Sequence, residues 1–390
     1  MQEIYIVDGV RSPIGSYGGS LKDFAPSSLT AVIIAAILRR TGLDPQLVDD
    51  IVIGSAILSE FADWPRTAGL LAGIPAETPA SLVNFNCGSG MQAVIRAAQA
   101  IKLGEAEIVL AGGTEVMSAA PYWVKSARWG QRLGHAEMID SVMGSLKDPT
   151  TGLLMGEIAE MLAERFAVRR EEQDELAFAS HQKATEAIKR GSFKNEIEPV
   201  QVVVRKQSCL FQTDEQPRSD ASLAKLSNLN PAFKPGGTVT AGNSSPLNDA
   251  AALVLLASAN AVDKHGLRPL ARIVSYAVAG VEPGLFGYAP VPATKKALKA
   301  AGFSVRDIDL FEINEAFAVQ YLICEKELEL DRDIVNVNGG AIALGHPVAA
   351  SGPRVLLTLC HELRRRGRKC GAATMCVGGG MGITFVVENL

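Results

Sequence analysis

Short apolar runs of strand length alternate along this chain with longer amphipathic segments of helix length. The apolar runs lie at residues 4–7, 51–53, 108–111, 253–256 and 272–275, and their uniform hydrophobicity is typical of strands buried on both faces. The segments at residues 28–40 and 294–301 each begin with a hydroxyl side chain and are followed within two residues by a glycine, which predicts capped helices. The alternation of the two patterns predicts an α/β fold.

The chain contains an internal repeat, visible as three short matches that occur in the same order. The sequence VDDIVI at 48–53 resembles IDLFEI at 308–313, VNFNCG at 83–88 resembles VNVNGG at 335–340, and LAGG at 110–113 resembles CVGG at 376–379. A helix-like stretch separates the second match from the third in each copy. Three ordered matches favour two homologous α/β halves over chance.

The segment between the two halves has a different character. It contains two charged amphipathic stretches, at 157–167 and 170–190, followed by a polar, proline-containing stretch at 207–237. We therefore predict an N-terminal half at residues 1–117 and 248–268, a loop domain at 118–247, and a C-terminal half at 269–390. An insertion of this kind usually covers a functional site.

The composition excludes several classes of protein. Of the 390 residues, 47% are hydrophobic and 21% charged, which is enough for a large core, and the net charge of −4 argues against a nucleic-acid partner. The six cysteines form no CxxC pair and the histidines no HExxH motif, which argues against a disulfide scaffold and a metal site. No apolar stretch reaches the ~20 residues of a membrane helix, and the first residues do not resemble a signal peptide. We expect a cytoplasmic protein with reduced thiols and no membrane span.

Cys87 is the first candidate for chemistry. It follows an apolar strand and precedes a predicted helix at residues 91–103, with small residues on its C-terminal side. A thiol in this place would have its thiolate stabilised by the helix N-terminus and would be open to a substrate. From this residue alone, the alternative is an inert cysteine in the core.

Three further candidates lie in the second half of the chain. His346 stands between a glycine and a proline, Cys376 opens the sequence CVGGGMG, and Asn314 follows the predicted strand at 310–313. The glycines could present backbone N–H groups to a ligand oxygen, and an amide at a strand end could orient a water molecule. The glycines after Cys376 do not form a dinucleotide-binding loop, because a strand rather than a helix is predicted to follow them. The structural alternatives are a core histidine and, for Asn314, a helix N-cap, which asparagine favours.

Four separated motifs together resemble the thiolases, which are coenzyme-A-dependent acyltransferases. The motifs are NCGSGM at 86–91, NEAF at 314–317, GHP at 345–347 and CVGGG at 376–380, they occur in the family's order, and the resemblance covers essentially the whole chain. It implies two similar βαβαβαββ halves in a five-layer αβαβα arrangement, with an inserted loop domain over the active site.

The resemblance also implies a role for each candidate. Cys87 would accept the acyl group as a thioester, His346 would take its proton, and Cys376, as a thiol of near-neutral pKa, would act as acid and base. One oxyanion site would consist of His346 and a water molecule held by Asn314, and the other of the backbone N–H groups of Cys87 and Gly378. The residues that would contact substrate or CoA are Arg218, Ser245, Leu154, Met155, Phe233, Ala316 and Phe317.

The same resemblance bears on substrate and assembly. FEINEAFA at 311–318 and GYAPVPA at 287–293 are similar to the degradative 3-ketoacyl-CoA thiolases of fatty-acid β-oxidation, which cleave 3-ketoacyl-CoA to acetyl-CoA and a shortened acyl-CoA and also run the reverse Claisen condensation. Biosynthetic acetoacetyl-CoA enzymes usually carry a histidine where this chain has Leu154, and an apolar residue there favours a less polar acyl tail. The partners implied are acyl-CoA, CoA and further copies of the chain, as a dimer or tetramer. No metal or redox cofactor is implied, since CoA is a substrate.

Three alternatives stay open. The first is an acetyl-CoA C-acetyltransferase that makes acetoacetyl-CoA. The second is a decarboxylating condensing enzyme, although such enzymes pair their cysteine with two histidines or with histidine and asparagine, and Cys376 argues against that. The third is a catalytically silent CoA- or lipid-binding paralogue. The chain also departs from the usual family residues at Ala349, Pro353 and Pro246, and the extra methyl group of Ala349 is expected to affect the loop of His346.

Overall fold

The computed structural model describes residues 2–61, 63–204 and 206–390. Within them the strands are β1 (Ile4–Arg11), β2 (Gly15–Ser16), β3 (Asp50–Gly54), β4 (Ala80–Val83), β5 (Ile108–Val116), β6 (Tyr122–Trp123), β7 (Ile139–Asp140), β8 (Val200–Val204), β9 (Gln207–Phe211), β10 (Asn248–Ser258), β11 (Ala271–Gly280), β12 (Leu310–Ile313), β13 (Cys370–Val377) and β14 (Met381–Asn389). The helices are α1 (Pro26–Thr41), α2 (Trp64–Leu71), α3 (Ser89–Leu103), α4 (Ser141–Ser145), α5 (Met155–Arg165), α6 (Arg170–Arg190), α7 (Leu223–Ser227), α8 (Ala259–His265), α9 (Pro290–Ala301), α10 (Ala318–Glu327), α11 (Ala341–Leu344) and α12 (Ser351–Arg366).

The predicted strands and helices are present, and they are mostly longer than the apolar pattern that indicated them. Helix α1 begins at Pro26 rather than at residue 28, because proline fits the first turn of a helix, where no intrahelical acceptor is needed. It ends before Gly42, which takes a φ of 64°, a left-handed conformation that glycine adopts without steric cost. Helix α6 has the bounds that the sequence predicted.

The two halves of the chain contribute four corresponding strands each to one mixed sheet, and the N-terminal half adds β2 and β4. In the N-terminal half the order is β4-β3-β5-β10-β1, and in the C-terminal half it is β12-β13-β14-β11. The pairs β3–β5 and β12–β13 are parallel, whereas β5–β10 and β13–β14 are antiparallel. The halves join where β1 pairs with β11, at Tyr5 with Arg272 and Ile6 with Ala271.

One aspartate just before the corresponding strands β3 and β12 makes the same hydrogen bonds in each half. Asp49 accepts hydrogen bonds from two consecutive backbone N–H groups at the start of β5, at 2.7 and 2.9 Å. Asp309 accepts two at the start of β13, both at 2.9 Å. Each aspartate therefore fixes one strand against its neighbour by the same contact.

The helices divide into a central pair and two outer groups. Helices α3 and α12 lie between the two halves of the sheet, and their apolar residues share a core with side chains from both halves, among them Met91, Leu356, Met375 and Phe385. Helices α1 and α2 cover the N-terminal half, and α9 and α10 cover the C-terminal half. This confirms the expected five-layer αβαβα arrangement.

The inserted segment leaves the sheet after Val116 and returns at Asn248, and the strands on either side of it are antiparallel neighbours. It contains α4 to α7 and two short hairpins. Because Val116 pairs with Asp249, the segment begins and ends at one end of the sheet. In the ranges that the structure describes, no helix has both the length and the apolar character needed to cross a bilayer.

Candidate active site

The turn that carries Cys87 meets the turn between β13 and β14. Asn86 has a φ of 45°, and its side-chain amide donates to the carbonyl oxygen of Gly378 at 3.0 Å. The backbone N–H of Gly378 acts to lower the pKa of the Cys87 thiol. A methyl group on Gly88 would come within 2.8 Å of the Val377 side chain, so glycine permits the close approach. The thiol of one half therefore faces the backbone of the other.

The Cys87 thiol is protonated in the unliganded site. Burial raises the pKa of Cys87 to about 11, the nearby charge of Glu115 raises it further, and the N–H groups of Gly378 and of Cys87 itself act in the opposite direction. The expectation that the helix N-terminus holds a thiolate is therefore wrong for this state. Removal of the sulfur from water outweighs the two N–H groups, although part of the Cys87 surface stays accessible.

Cys376 lies on β13 and is 2% exposed. It belongs to an apolar cluster to which the inserted segment contributes, and the partly buried members of this cluster include Met155, Phe233 and Phe317. Burial raises the pKa of Cys376 well above its usual range, and the neighbouring Cys87 and Cys324 raise it further. The expected near-neutral pKa is wrong for the unliganded site, because this thiol has lost almost all contact with water.

His346 follows α11 in a loop held by two side-chain contacts. Gly345 has a φ of 109°, and a methyl group on it would come within 2.6 Å of the Asn248 side chain. Asn248 in turn accepts a hydrogen bond from the backbone N–H of His346 at 2.9 Å. Because both contacts involve β10, the loop is fixed against the N-terminal half of the sheet.

The imidazole of His346 is buried and neutral at pH 7. Nδ1 lies 2.6 Å from Oγ of Ser351, and this oxygen also lies 3.2 Å from the carbonyl oxygen of Pro347. When the hydroxyl donates to Pro347, Nδ1 carries the ring hydrogen. Nε2 is buried and has no partner among the described residues. Burial lowers the pKa of His346 to about 4, and the charge of Arg354 acts in the same direction. With the ring hydrogen on Nδ1, the unpartnered Nε2 presents the lone pair that a base needs.

Asn314 lies at the end of β12, beside the strand that carries Cys376. Its backbone N–H donates to the carbonyl oxygen of Thr374 at 3.0 Å. The N-cap of α10 is Phe317, so the interpretation of Asn314 as a helix cap is wrong. Both polar atoms of its side-chain amide are buried and without a partner in the described part of the chain. A buried amide of this kind is a binding site for a small polar group or a water molecule.

The loop of His346 also packs beside Cys87. Cys87 borders an apolar cluster that contains Ile57 and Val348, the second residue after His346, and Leu247 borders the same cluster. The backbone of Leu247 forms a bridge with that of His346. The structure therefore brings the loop of His346 to Cys87, and β13 with Cys376 to the same region from the other half.

The residues expected to contact CoA extend from this region to the surface. Ser245 donates to the carbonyl oxygen of Ala316 through both its backbone N–H, at 3.0 Å, and its hydroxyl, at 2.9 Å. Its neighbours Ser244 and Pro246 line a surface cavity together with the exposed Arg218. The cavity thus lies on the outer side of the segment that contacts Ala316.

Leu154 is half-buried and is the N-cap of α5, beside Met155. A methyl group on Gly378 would lie 3.7 Å from the sulfur of Met155. The inserted segment therefore reaches the turn that faces Cys87, and Arg218 is the candidate that lies farthest out, at the surface.

Sequence reasoning missed three residues that orient the site: Asn86, Asn248 and Ser351. A weak signal existed for Asn86, because asparagine tolerates a positive φ better than most residues and this one directly precedes the candidate nucleophile. Asn248 and Ser351 carried no such signal, since their partners are known only once the chain has folded.

Comparison with known proteins identifies the family. The family models "Thiolase, N-terminal domain" and "Thiolase, C-terminal domain" match residues 4–260 and 267–389. The chain is 49% identical to an acetyl-CoA acetyltransferase of Pseudomonas aeruginosa over 392 residues, with 100% of both chains covered. It is 45% identical to the mitochondrial 3-ketoacyl-CoA thiolase of Homo sapiens, covering 100% of this chain and 99% of that one.

Solved structures agree with this result. The acetyl-CoA acetyltransferase of Bacillus anthracis superposes with a TM-score of 0.98 at 46% identity and covers 100% of this chain and 99% of its own. Human mitochondrial 3-ketoacyl-CoA thiolase in complex with CoA superposes with a TM-score of 0.96 at 45% identity and covers 100% of this chain and 98% of its own. On the sequence and the fold together, the chain belongs to the thiolase family and is an acyltransferase.

Proposed function

We propose that this thiolase cleaves 3-ketoacyl-CoA with CoA to give acetyl-CoA and a shortened acyl-CoA, and runs the reverse Claisen condensation, through an acyl group carried on Cys87. The observation that carries the proposal is the contact between the two halves. Asn86, the neighbour of Cys87, donates its side-chain amide to the carbonyl oxygen of Gly378, and Cys376 lies two residues before Gly378, near the end of β13. The candidate nucleophile and the second thiol therefore lie near the same turn, and the charge of Cys87 raises the pKa of Cys376.

In the first step the Cys87 sulfur attacks the 3-keto carbonyl carbon while Nε2 of His346 takes the thiol proton. Because the pKa of the thiol is raised to about 11 and that of the imidazole lowered to about 4, the proton moves only as the sulfur–carbon bond forms. The resulting oxyanion accepts hydrogen bonds from the backbone N–H groups of Cys87 and Gly378. Donors fixed in this way stabilise charge without reorganising during the reaction.

In the second step the bond between C2 and C3 of the substrate breaks. Its electron pair stays on the acetyl-CoA fragment as an enolate, and the Cys376 thiol gives its proton to C2. The enolate oxygen accepts hydrogen bonds from His346 and from a water molecule held by Asn314, whose amide has no protein partner in the described residues. Acetyl-CoA then leaves, and the acyl group stays on Cys87 as a thioester.

In the last step CoA enters and gives its thiol proton to the Cys376 thiolate. The CoA sulfur attacks the thioester, the sulfur of Cys87 leaves, and His346 returns the proton to it. The raised pKa of Cys376 supports this assignment, because a thiolate in an apolar pocket is a strong base toward an entering thiol. The cycle needs no metal or redox cofactor, and a preparation dialysed against a chelator is expected to keep its activity.

CoA is proposed to run from the surface cavity to the thiols. Arg218 borders the cavity at the surface and would pair with the phosphates of CoA, whereas Ser245 would contact the pantetheine arm where it passes Ala316. The human relative solved with CoA bound supports binding of CoA by this chain, since it shares the fold over the whole chain.

The acyl tail is proposed to be apolar and longer than that of acetoacetyl-CoA, as in fatty-acid β-oxidation. Leu154 precedes Met155, and the rings of Phe233 and Phe317 pack edge to face with centroids 6.2 Å apart. An apolar lining favours an apolar tail. Relatives named acetyl-CoA acetyltransferase and 3-ketoacyl-CoA thiolase are similarly close, so the acetoacetyl-CoA enzyme is the second candidate.

A chain-length series tests the proposal. The kcat/KM for CoA-dependent cleavage is measured from acetoacetyl-CoA to long 3-ketoacyl-CoA substrates. A rise of at least tenfold beyond the four-carbon substrate supports the degradative function. A clear preference for acetoacetyl-CoA supports the second candidate, and acyl-CoA binding without turnover indicates a silent paralogue.

The proposal extends to the assembly and the cellular location of the protein. The sheet ends at the edge strand β4, which is only partly buried and could be extended by a second copy of the chain. We therefore propose a dimer or tetramer, which light scattering of the purified protein tests, and a cytoplasmic location, which cell fractionation tests.

A further inference from the structure

Glu115 is a buried carboxylate that the proposed reaction does not use. It lies on β5, is 1% exposed, and accepts four hydrogen bonds. Three come from the turn after β3: the Ser55 hydroxyl at 3.1 Å, the Ala56 N–H at 2.9 Å and the Ile57 N–H at 3.1 Å. The fourth comes from the Ala349 N–H at 3.2 Å. One side chain thus joins a turn of the N-terminal half to the loop of His346 in the C-terminal half.

Both of these segments border the candidate nucleophile. Cys87 and Ala56 are both partly buried against the apolar cluster that contains Ile57 and Val348, so residues on both sides of the Glu115 carboxylate belong to the surroundings of the thiol. A displacement of either segment changes the space between Cys87 and the loop that carries His346.

The backbone of Ala349 is also held in place at its carbonyl oxygen. A methyl group on Gly90 would come within 2.3 Å of the Ala349 carbonyl oxygen, and one on Gly113 within 2.1 Å. The loop of His346 is therefore placed by close backbone contact through its C=O group and by Glu115 through its N–H group. The methyl group of Ala349 is fully buried in this arrangement.

A carboxylate suits this position better than its amide. All four partners donate, and a carboxylate offers only acceptors, whereas glutamine would direct an NH₂ group at backbone N–H groups. No lysine or arginine forms an ion pair with Glu115 in the part of the chain that the structure describes. Burial raises the pKa of Glu115 to about 7. A buried acid without a cation is unfavourable unless its hydrogen bonds compensate.

We propose that Glu115 is a positioning residue that sets the distance between His346 and Cys87 by tying the loop of His346 to the turn at residues 55–57 across the two halves. The inference rests on the proposed function, because it assigns to Glu115 the alignment of the base with the nucleophile.

The test is Glu115→Gln, assayed for CoA-dependent cleavage and for acetylation of Cys87 by acetyl-CoA. We expect kcat and the acetylation rate to fall together by about ten- to a hundredfold, since small misplacements of catalytic groups have effects of this size. The KM for CoA should stay within twofold, because Arg218 and Ser245 are not touched. A variant with wild-type kcat per folded molecule would overturn the inference.

The matched control is Asp309→Asn, which disturbs a carboxylate that also accepts two backbone N–H groups but lies at the opposite end of β12 from Asn314. It should lose stability and keep kcat. Equal losses of kcat in both variants would overturn the inference by showing a general effect of weakened strands.

If Glu115→Gln does not fold, Ser55→Ala provides the test instead. A lower kcat at unchanged KM supports the inference, and a wild-type kcat overturns it. A wild-type protein without thiolase activity would instead refute the proposed function.

Discussion

The side-chain amide of Asn86 holds the carbonyl oxygen of Gly378 at 3.0 Å, although the two residues are far apart in the sequence. Asn86 directly precedes Cys87, and the N–H of Gly378 acts to lower the pKa of the Cys87 thiol. The contact therefore fixes the nucleophile of one half against the backbone donor of the other. The proposed stabilisation of the oxyanion depends on this contact.

Replacement of Asn86 by glycine removes the hydrogen bond to Gly378 and keeps the backbone conformation of residue 86. Glycine accepts a φ of 45° without strain, so only the amide is lost. We expect kcat to fall roughly tenfold or more while the free energy of unfolding falls by about 1 kcal/mol, the usual effect of one hydrogen bond. Steady-state kinetics and thermal unfolding measure both. A glycine variant with wild-type kcat would show that the contact does not serve catalysis.

Asn314→Ala should lower the activity of the protein and leave its stability almost unchanged. The Asn314 amide has no partner in the described residues, so its removal should change the free energy of unfolding by less than about 1 kcal/mol, whereas loss of enolate stabilisation should lower kcat by about 10²–10³-fold.

The control for this experiment is Asn336→Ala. The Asn336 side chain makes three hydrogen bonds of 2.8 Å to Ile313 and Glu315, so its loss should cost about 2–4 kcal/mol of stability, because buried partners are left unsatisfied. Circular dichroism and kinetics on both variants provide the comparison. If Asn314→Ala lost stability as Asn336→Ala does and kept its activity, Asn314 would be a structural residue.

His346 should make the folded state less stable in mild acid. Its pKa is lowered to about 4 in the fold and is about 6.5 in an unfolded chain. As the pH falls from about 6.5 to about 4, the unfolded state takes up a proton that the folded state does not bind, so stability is lost in that window.

Carboxylates with raised pKa values, such as Glu115 and Glu312, make the folded state more stable as the pH falls, which opposes the effect of His346. The effect of His346 is therefore measured as the difference between the wild-type protein and a variant without this imidazole. His346→Asn removes the titrating group and can keep the bond to Ser351. Denaturant unfolding at pH 7 and pH 4.5 should show a smaller loss for the variant, by on the order of 2–3 kcal/mol. Equal losses would mean that the buried imidazole does not have a lowered pKa.

Leu154→His tests the proposed substrate range. A polar ring beside Met155 should weaken contact with a long apolar tail, and we expect kcat/KM for long 3-ketoacyl-CoA to fall about tenfold relative to acetoacetyl-CoA, the size of effect that a few buried methylene groups produce. Competition assays with mixed substrates measure the ratio directly. An unchanged ratio would show that residue 154 does not contact the tail.

Local patterns predicted more of the fold than of the site. Apolar runs and capping residues located the strands and helices, and the repeat predicted two equivalent halves, because these signals depend on neighbours in the sequence. The joining of β1 to β11 and the tie between Asn86 and Gly378 depend on packing between distant segments, so no local pattern indicated them.

The chemical state of the site was harder to predict than its residues. The helix N-terminus suggested a Cys87 thiolate, but burial raises the pKa of the thiol to about 11. Asparagine's preference suggested that Asn314 was a cap, but α10 begins beyond it, and Phe317 is the cap. In both cases the deciding quantity was the degree of burial or the exact start of a helix, and neither follows from residue type. The bounds of the loop domain at 118–247 stay a prediction.

Mass spectrometry of the protein after incubation with acetyl-CoA tests the central claim, that Cys87 carries the acyl group and Cys376 moves the proton at the α-carbon. The wild-type protein and Cys376→Ala should both gain one acetyl group on the peptide that contains Cys87, and only the wild type should go on to form or cleave a 3-ketoacyl-CoA. Cys87→Ala should gain none. An unmodified Cys87 in the wild-type protein, or an acetyl group carried elsewhere, would contradict the account.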